Sequence, residues 1–439
     1  MLQTVRNAFK IEEIRKRLFF TFLMLIVVRI GAQLPLPGLN HSLYSEWMSS
    51  QTGDAFNFFD SITGGSFEDM SILALNITPY ITASIIMQLL TIAIPKLEEL
   101  HKEGEEGRKK ISSITRYLTI GLSVLESLAL AIGFGRQGYL DSFNAFTVIM
   151  MVTCLTAGSA VLMWIGERIT ENGIGNGISI VLTINIISRL PNDFAALGEQ
   201  FVMGQNPGRA IVAIVIIAVI VIGLVVSVVF LQDGQRKIPV QYSRKIQGRR
   251  QVGGQSTFLP LRVNTAGVIP IIFAQSLMQT PVIIGQLLGA NEGTGIGAKI
   301  LKGLSQSNWC DPAQPVYTIG LIVYILLIVA FAYFYTSITF NPLELADNMK
   351  KQGGFIPGIR PGKPTSDYLT QILGYVIFIG AVALSIIAFI PIFFNGVFGA
   401  SVSFGGTSII IIVGVIIETI KQVESMMVTR HYTTGFLGE

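Results

Sequence analysis

The sequence predicts an all-α polytopic membrane protein with ten transmembrane helices. Three observations carry that prediction. The 439-residue chain is 51% hydrophobic and only 13% charged, where a soluble domain carries about 25% charged residues, and its mean hydropathy is +0.59. Ten apolar segments approach the roughly 20 residues a helix needs to cross a bilayer. Lysine and arginine divide unevenly between the loops on the two sides. Soluble enzymes, nucleic-acid binders and disordered chains fit this balance poorly. Cys154 and Cys310 cannot build a disulfide framework, and His41, His101 and His431 lie too far apart in sequence to suggest a histidine-rich metal site.

The ten segments are 18–34, 75–94, 117–134, 145–166, 177–190, 209–231, 263–288, 315–338, 368–392 and 404–420. The first follows basic residues, as a secretory signal would. Pro35-Leu36-Pro37-Gly38 follows it in place of a small-residue cleavage site, so it reads as a retained helix ending at Pro35. Arg29, near its outer end, can snorkel to the interface. The second opens on Pro79, where the missing N–H costs little. The third carries Glu126, and the tenth carries Glu418 near its inner end. The fifth is short and holds Ser179, Thr183, Asn185 and Ser188, so hydropathy alone would miss it. Within 210–231 only Ser227 is polar, and that helix can face lipid all round.

Lys and Arg accumulate on the cytoplasmic side of membrane proteins. With the N-terminus inside, 25 of the 31 fall in cytoplasmic segments; the other six are Arg29, Arg136, Arg189, Arg209, Lys299 and Lys302. Both termini are then cytoplasmic. Dropping the fifth span would invert everything after it and put the basic 232–262 loop outside, so charge restores a span that hydropathy loses.

Polar residues single out three spans. The second carries Thr78, Tyr80, Thr82, Ser84 and Gln88; the seventh carries Asn264, Thr265, Gln275, Ser276, Gln279 and Thr280. With the fifth, they are the candidates to line a water-filled path, although the same residue types also bond packed helices together. Residues 57–73 are moderately apolar, contain Gly64-Gly65 and cannot span. They fit either an ordinary outer loop or a short helix dipping into the membrane, which is tolerated only inside protein or beside a wet cavity. No Asp or Lys lies mid-span, which weakens an ion-coupled transporter reading without removing it.

No motif for covalent chemistry emerges. Residues 358–365 look briefly like a phosphate loop, but Pro357 and Pro364 occupy positions that need Gly and Ser or Thr. No cofactor is expected, and any energy must come from a partner. Two long basic loops remain. Loop 232–262 holds Arg236, Lys237, Arg244, Lys245, Arg249, Arg250 and Arg262; loop 339–367 holds Lys350, Lys351, Arg360 and Lys363. The positive-inside bias accounts for the charge but not for the length. Their glycines and prolines predict projecting hairpins, suited to RNA phosphates or an acidic protein surface.

Several stretches together resemble the SecY family, the central subunits of bacterial protein-translocation channels. They are Arg29-Ile-Gly-Ala-Gln-Leu-Pro-Leu-Pro-Gly38, Ile77-Thr-Pro-Tyr-Ile-Thr-Ala-Ser-Ile-Ile-Met-Gln-Leu-Leu90, Gly104-Glu-Glu-Gly-Arg-Lys-Lys110, Glu167-Arg-Ile-Thr-Glu-Asn-Gly-Ile-Gly-Asn-Gly-Ile-Ser179, Asn264-Thr-Ala-Gly-Val-Ile-Pro270, Pro357-Gly-Ile-Arg-Pro-Gly362 and Phe404-Gly-Gly-Thr-Ser408. The resemblance runs from about residue 12 to 430, and the Gly-Ile-Arg-Pro-Gly loop favours a bacterial relative.

The resemblance implies two inverted pseudo-symmetric halves, 1–190 with spans 1–5 and 191–439 with spans 6–10, around a central hourglass pore. It implies a waist ring at Ile77, Ile81, Leu182, Ile186, Ile272 and Ile411. The spacings agree in part, since Ile77/Ile81 and Leu182/Ile186 are i, i+4 pairs on one helix face. It implies a plug at about 57–73, including Phe58, Phe59, Ile62, Gly64, Gly65 and Phe67. Spans 2 and 3 would meet spans 7 and 8 at a lateral gate, with Gln88, Gln275 and Gln279 as candidates for polar contacts across it. Arg360 would serve the SecA motor, and Arg249 and Arg250 would serve SecA or the ribosome. SecE, SecG, signal peptides of preproteins and membrane lipid complete the implied partners, in a bacterial cytoplasmic membrane. A small-solute transporter, which needs a polar midplane pocket, and a membrane-embedded enzyme, which needs a catalytic constellation, are the alternatives.

Overall fold

The computed structural model describes residues 9–50, 60, 63–203, 207–242, 245–247, 250–252, 256–287, 295–312, 314–398 and 406–436. Each of the ten apolar segments falls on a helix. The first five are α1 (Glu12–Gly31), α3 (Thr78–Ala93), α5 (Glu105–Gln137), α6 (Ala145–Asn172) and α7 (Gly177–Phe201). The second five are α8 (Pro207–Asp233), α9 (Ile269–Leu287), α11 (Ile319–Thr339), α13 (Lys363–Phe398) and α14 (Gly406–Phe436). Shorter helices α2 (His41–Ser50), α4 (Pro95–Lys102), α10 (Ile296–Leu304) and α12 (Pro342–Lys351) lie between them.

Among the described residues, six helices are long and apolar enough to cross a membrane, or seven if α3 and α4 count as one broken span. The ten expected spans therefore do not all pass on length and apolarity. α1 starts with Arg15, Lys16 and Arg17 in its first turns, α9 carries Gln275, Ser276, Gln279 and Thr280, and α14 carries Glu418, Lys421 and Glu424.

Local chemistry sets the boundaries. Pro95 ends α3 at Ile94, and α4 departs at 106°, as proline in a helical run requires. The Asn176 side chain accepts from the backbone N–H groups of Ile178 and Ser179 and starts α7. That helix runs through Pro191 to Phe201, eleven residues past its expected end at 190.

α5 packs on α3 and α6, and α6 packs on α1 and α7; in the second half α11 packs on α9 and α13, and α14 packs on α8 and α13. Two seams join the sets, α5 against α9 and α7 against α14.

The loop after α8 departs from an all-helical plan. Strands β1 (Gln235–Tyr242) and β4 (Ser256–Arg262) form an antiparallel hairpin from Gln235↔Arg262 to Gln241↔Ser256. β2 (Lys245–Gln247) and β3 (Arg250–Val252) pair beyond it. The second basic loop is not the hairpin expected of it. Asn341 caps α12, with Pro342 opening that helix, and the two-residue strand β5 (Gly354–Phe355) then pairs with β1. The two loops thus share one sheet in the order β4-β1-β5. Its core of Ile238, Val240, Leu261, Met349, Ile356 and Leu369 also draws on α12 and α13.

Candidate pore site

The seam between α7 and α14 carries an aliphatic cluster. Ile186 (1% exposed), Ile411 (4%) and Val415 (6%) form its buried centre, and Ile180, Val268, Ile272 and Ile412 pack on them. Three of the six predicted ring residues, Ile186, Ile272 and Ile411, therefore come together from both halves of the chain.

The other three do not belong to that cluster. Ile77 is fully buried and Ile81 half-buried among Val28 of α1, Leu162, Ile165 and Ile169 of α6, and Val181 of α7. Leu182 is buried. Ile180 touches both clusters and links them. None of the six faces outward. Val268, Ile412 and Val415 were not among the predicted residues; Val415 stands one helical turn beyond Ile411, and that i, i+4 spacing was the available signal.

Much of the described part of the segment read as a plug is buried, with Glu68 and Asp69 exposed. Phe58, Phe59 and Ile62 lie outside the described residues. Asp60, Thr63, Ser66, Phe67, Met70 and Ser71 are each at most 2% exposed. Helix does not continue past Thr63; residues 64–70 are consecutive turns. Gly64 and Gly65 take φ of +69° and +88°, a left-handed backbone that glycine adopts freely. A Cβ on Gly64 would stand 2.7 Å from the Asn185 carbonyl oxygen, so the segment lies directly on α7. Gly158 lets the Ile72 carbonyl approach α6 more closely still, at 2.1 Å from where a Cβ would be.

Polar contacts fix this seat. Leu36 N–H donates to the Met70 carbonyl and Ile72 N–H to that of Leu34. Tyr44 Oη donates to the Phe67 carbonyl at 2.8 Å. Ser159 Oγ donates to the Asn76 carbonyl at 3.1 Å, and Asn185 Nδ2 donates to Asn76 Oδ1 at 3.2 Å. Arg29 does not simply snorkel, because its Nη1 turns inward and donates to the Gly64 carbonyl at 3.2 Å.

Arg189 Nη1 pairs with Asp60 Oδ2 at 2.6 Å and with Glu68 Oε2, and its Nε lies 4.0 Å from Asp193 Oδ1. Asp60 Oδ1 also accepts from Glu68 N–H at 2.7 Å. Burial pushes the Asp60 carboxyl up to about 7, against the pull of Arg189 and of that N–H. In the sequence Arg189 is one of six outer cations, and nothing there marks Asp60. Opposite charges 129 positions apart carry no local signal.

The three glutamines do not bond across the α5–α9 seam. Gln88 Nε2 reaches only Ser84 on its own helix, at 3.4 Å. Gln275 donates to Gln306 Oε1 at 3.2 Å and accepts from Tyr324 Oη of α11 at 3.5 Å, all within the second half. Gln279 is 2% exposed and neither side-chain polar atom has a hydrogen bond. Arg360 is exposed on a turn between Gly358 and Gly362, both at positive φ, anchored by buried Ile356. Arg249 and the side chain of Arg250 lie outside the described residues.

The SecY family's sequence model matches residues 71–420. The chain belongs to the SecY family. It is 44% identical over 451 aligned positions to a protein translocase subunit SecY of Streptomyces galbus, and 41% identical over 444 to that of Halalkalibacterium halodurans, with all of each chain covered. Among solved structures it resembles a protein-conducting channel with a TM-score of 0.64 at 19% identity, 97% of both chains being covered. It also resembles canine Sec61 in a ribosome-channel complex, with a TM-score of 0.62 at 18% identity and the same coverage. The helical arrangement is that of the SecY fold.

Proposed function

We propose that this chain is the channel subunit of a bacterial translocase. It passes unfolded preproteins across the cytoplasmic membrane and releases transmembrane segments sideways into lipid. The observation that carries the reading is the meeting of Ile186, Ile272 and Ile411, from both halves, at the α7–α14 seam. A constriction lined by such side chains holds water poorly and blocks ions by dewetting. It also yields around any passing peptide without gripping it.

The segment expected at about 57–73 acts as the plug on the outer side, and Ile77, Ile81 and Leu182 complete the collar on the N-terminal half. The α5–α9 contact is the lateral gate in its shut position. A hydrophobic segment leaving through it gains some tenths of a kcal/mol per Leu or Ile in lipid. Buried polar atoms without hydrogen bonds on Gln88, Ser123, Asn185, Asn264 and Gln279 support a wet interior, since such atoms cost free energy in a dry apolar core. The sheet carrying both basic loops faces the cytoplasm with both termini and takes SecA or the ribosome at Arg249, Arg250 and Arg360. SecE and SecG are the membrane partners. The chain performs no covalent chemistry, and the motor supplies the energy.

Cysteine at Ile81 or Ile411, in a chain freed of Cys154 and Cys310, should crosslink to a stalled translocating polypeptide. Absence of crosslinks together with saturable uptake of a small solute would replace this reading with a transporter.

A further inference from the structure

The outer segment is held by charge as well as by packing, and the charge is concentrated on one residue. Asp60 sits at 0% exposure between the segment and α7, with its carboxylate 2.6 Å from Arg189 Nη1. The Arg189 side chain is itself only 15% exposed, and it also meets Glu68 of the segment and Asp193 one turn along its own helix. The acids around the pair are Glu68 and Asp69 on the segment and Asp193 on α7. Tyr44 of α2 bonds the Phe67 carbonyl, and Arg29 of α1 bonds the Gly64 carbonyl.

We propose that Arg189 is the counter-ion that seats the plug, and that its pair with buried Asp60 sets how readily the plug leaves. The proposal rests on the plug segment, of which Asp60 and residues 63–73 are described, being a movable seal. A buried carboxylate deprived of its cation is strongly unfavourable, so a plug carrying ionised Asp60 stays seated only while Arg189 is opposite it. Arg189 belongs to α7, which also supplies Ile186 to the aliphatic cluster. A polypeptide that parts α7 from α14 therefore moves both the collar and the latch.

The sign of the pH dependence follows from burial. The seated Asp60 titrates near 7, above the ordinary 3.8, whereas a released plug exposes it to water. The seated form therefore binds a proton that the released form lacks between those values, and seating weakens as pH rises toward 7 and levels off above it. Replacing Arg189 by Gln removes the strongest opposing pull and moves the titration higher. The weakening then continues above pH 7, where the parent has levelled off.

The experiment is resting ion leak through the reconstituted translocase, at equal pH on both sides, for the parent, Arg189→Gln, Arg189→Lys, Asp60→Asn and the double variant Arg189→Gln/Asp60→Asn. Arg189→Gln should match the parent most closely at pH 6 and exceed it increasingly above pH 7, on the order of tenfold by pH 8.5. The double variant should fall back toward the parent at pH 8.5, and Arg189→Lys should lie between. An Arg189→Gln leak equal to the parent's at every pH overturns the proposal, and so does a double variant that leaks as much as the single. Preprotein transport is measured on the same vesicles. A parent that transports nothing sinks the channel reading itself, while normal transport with no Arg189→Gln effect sinks only the latch.

Discussion

Replacing Ile186 and Ile411 with Ala tests the aliphatic collar directly. Both residues are essentially buried, and they meet from opposite halves of the chain. Truncating a buried Ile to Ala costs about 2–5 kcal/mol, depending on how far the site collapses. Part of that loss is common to the shut and open forms, because each residue also packs within its own half. If half of the lower bound belongs to the shut form alone, about 1 kcal/mol favours opening, and that raises the open population roughly fivefold. The two residues share one cluster, so the double variant should depart from additivity by about 0.5–3 kcal/mol. Single-channel recording of the purified complex in planar bilayers reads the open probability without any client. Leu369→Ala is the control: Leu369 is 0% exposed in the sheet core under the basic loops, away from the seam. It should lower thermal stability and leave the open probability alone. A double variant with reduced stability and parental open probability would refute the collar, as would an equal rise in Leu369→Ala.

Three other perturbations probe separate parts. Arg360→Glu should impair motor-driven export in inverted vesicles while the complex stays folded, and normal export would remove Arg360 from the docking surface. Gly64→Ala forces a Cβ against the Asn185 carbonyl at positive φ. It should cost about 1–3 kcal/mol of seating strain and raise resting conductance, and an unchanged conductance would mean the segment does not depend on that close approach. Val240→Asp puts a charge at a position that is 3% exposed, on the strand β1 that lies between β4 and β5. Limited proteolysis should then cut 232–262 and 339–367 together, whereas cutting of only one loop would show that the shared sheet does not couple them.

The helical plan was legible because hydrophobic runs and loop charge are properties of contiguous sequence. Charge rescued the short fifth span, yet its true extent to Phe201 was hidden by Pro191, which the helix absorbs. The pairing of β5 with β1 was not legible, since it joins Phe355 to Gln241 across more than a hundred residues and involves only two positions. Of the six predicted ring residues only Ile77/Ile81 and Leu182/Ile186 carried a spacing signal, as i, i+4 pairs; Ile272 and Ile411 rested on the resemblance. Which pairs face each other depends on how α7 and α14 cross, and Ile77 shows the consequence by packing against α1 and α6. Arg29 was misjudged because snorkelling is the default for an arginine at a span end, and the acceptor that draws it inward, the Gly64 carbonyl, exists only once the turn at 64–65 has formed.

The division of chemistry between collar and seal follows from what each must fit. The collar has to close on itself and also accommodate any sequence that passes, so directional bonds there would hold some clients and reject others. Aliphatic side chains give closure without a preferred partner, and their contact energy is regained whichever rotamers they adopt. On the same reading, the described residues 60 and 63–76 need to fit only their own seat. They can use directional contacts throughout: the bridge to 34–36, the Asn76 bonds to Ser159 and Asn185, and the Arg189 pair. Such contacts are short-ranged, so a displacement of a few ångströms breaks them nearly together, which suits an element that has to be either seated or clear of the path. Asn185 and Arg189 put part of that seat on α7, which also supplies Ile186; on the proposed reading, opening the collar loosens the seat, and an Arg189→Gln plug that no longer responded to collar opening would separate the two.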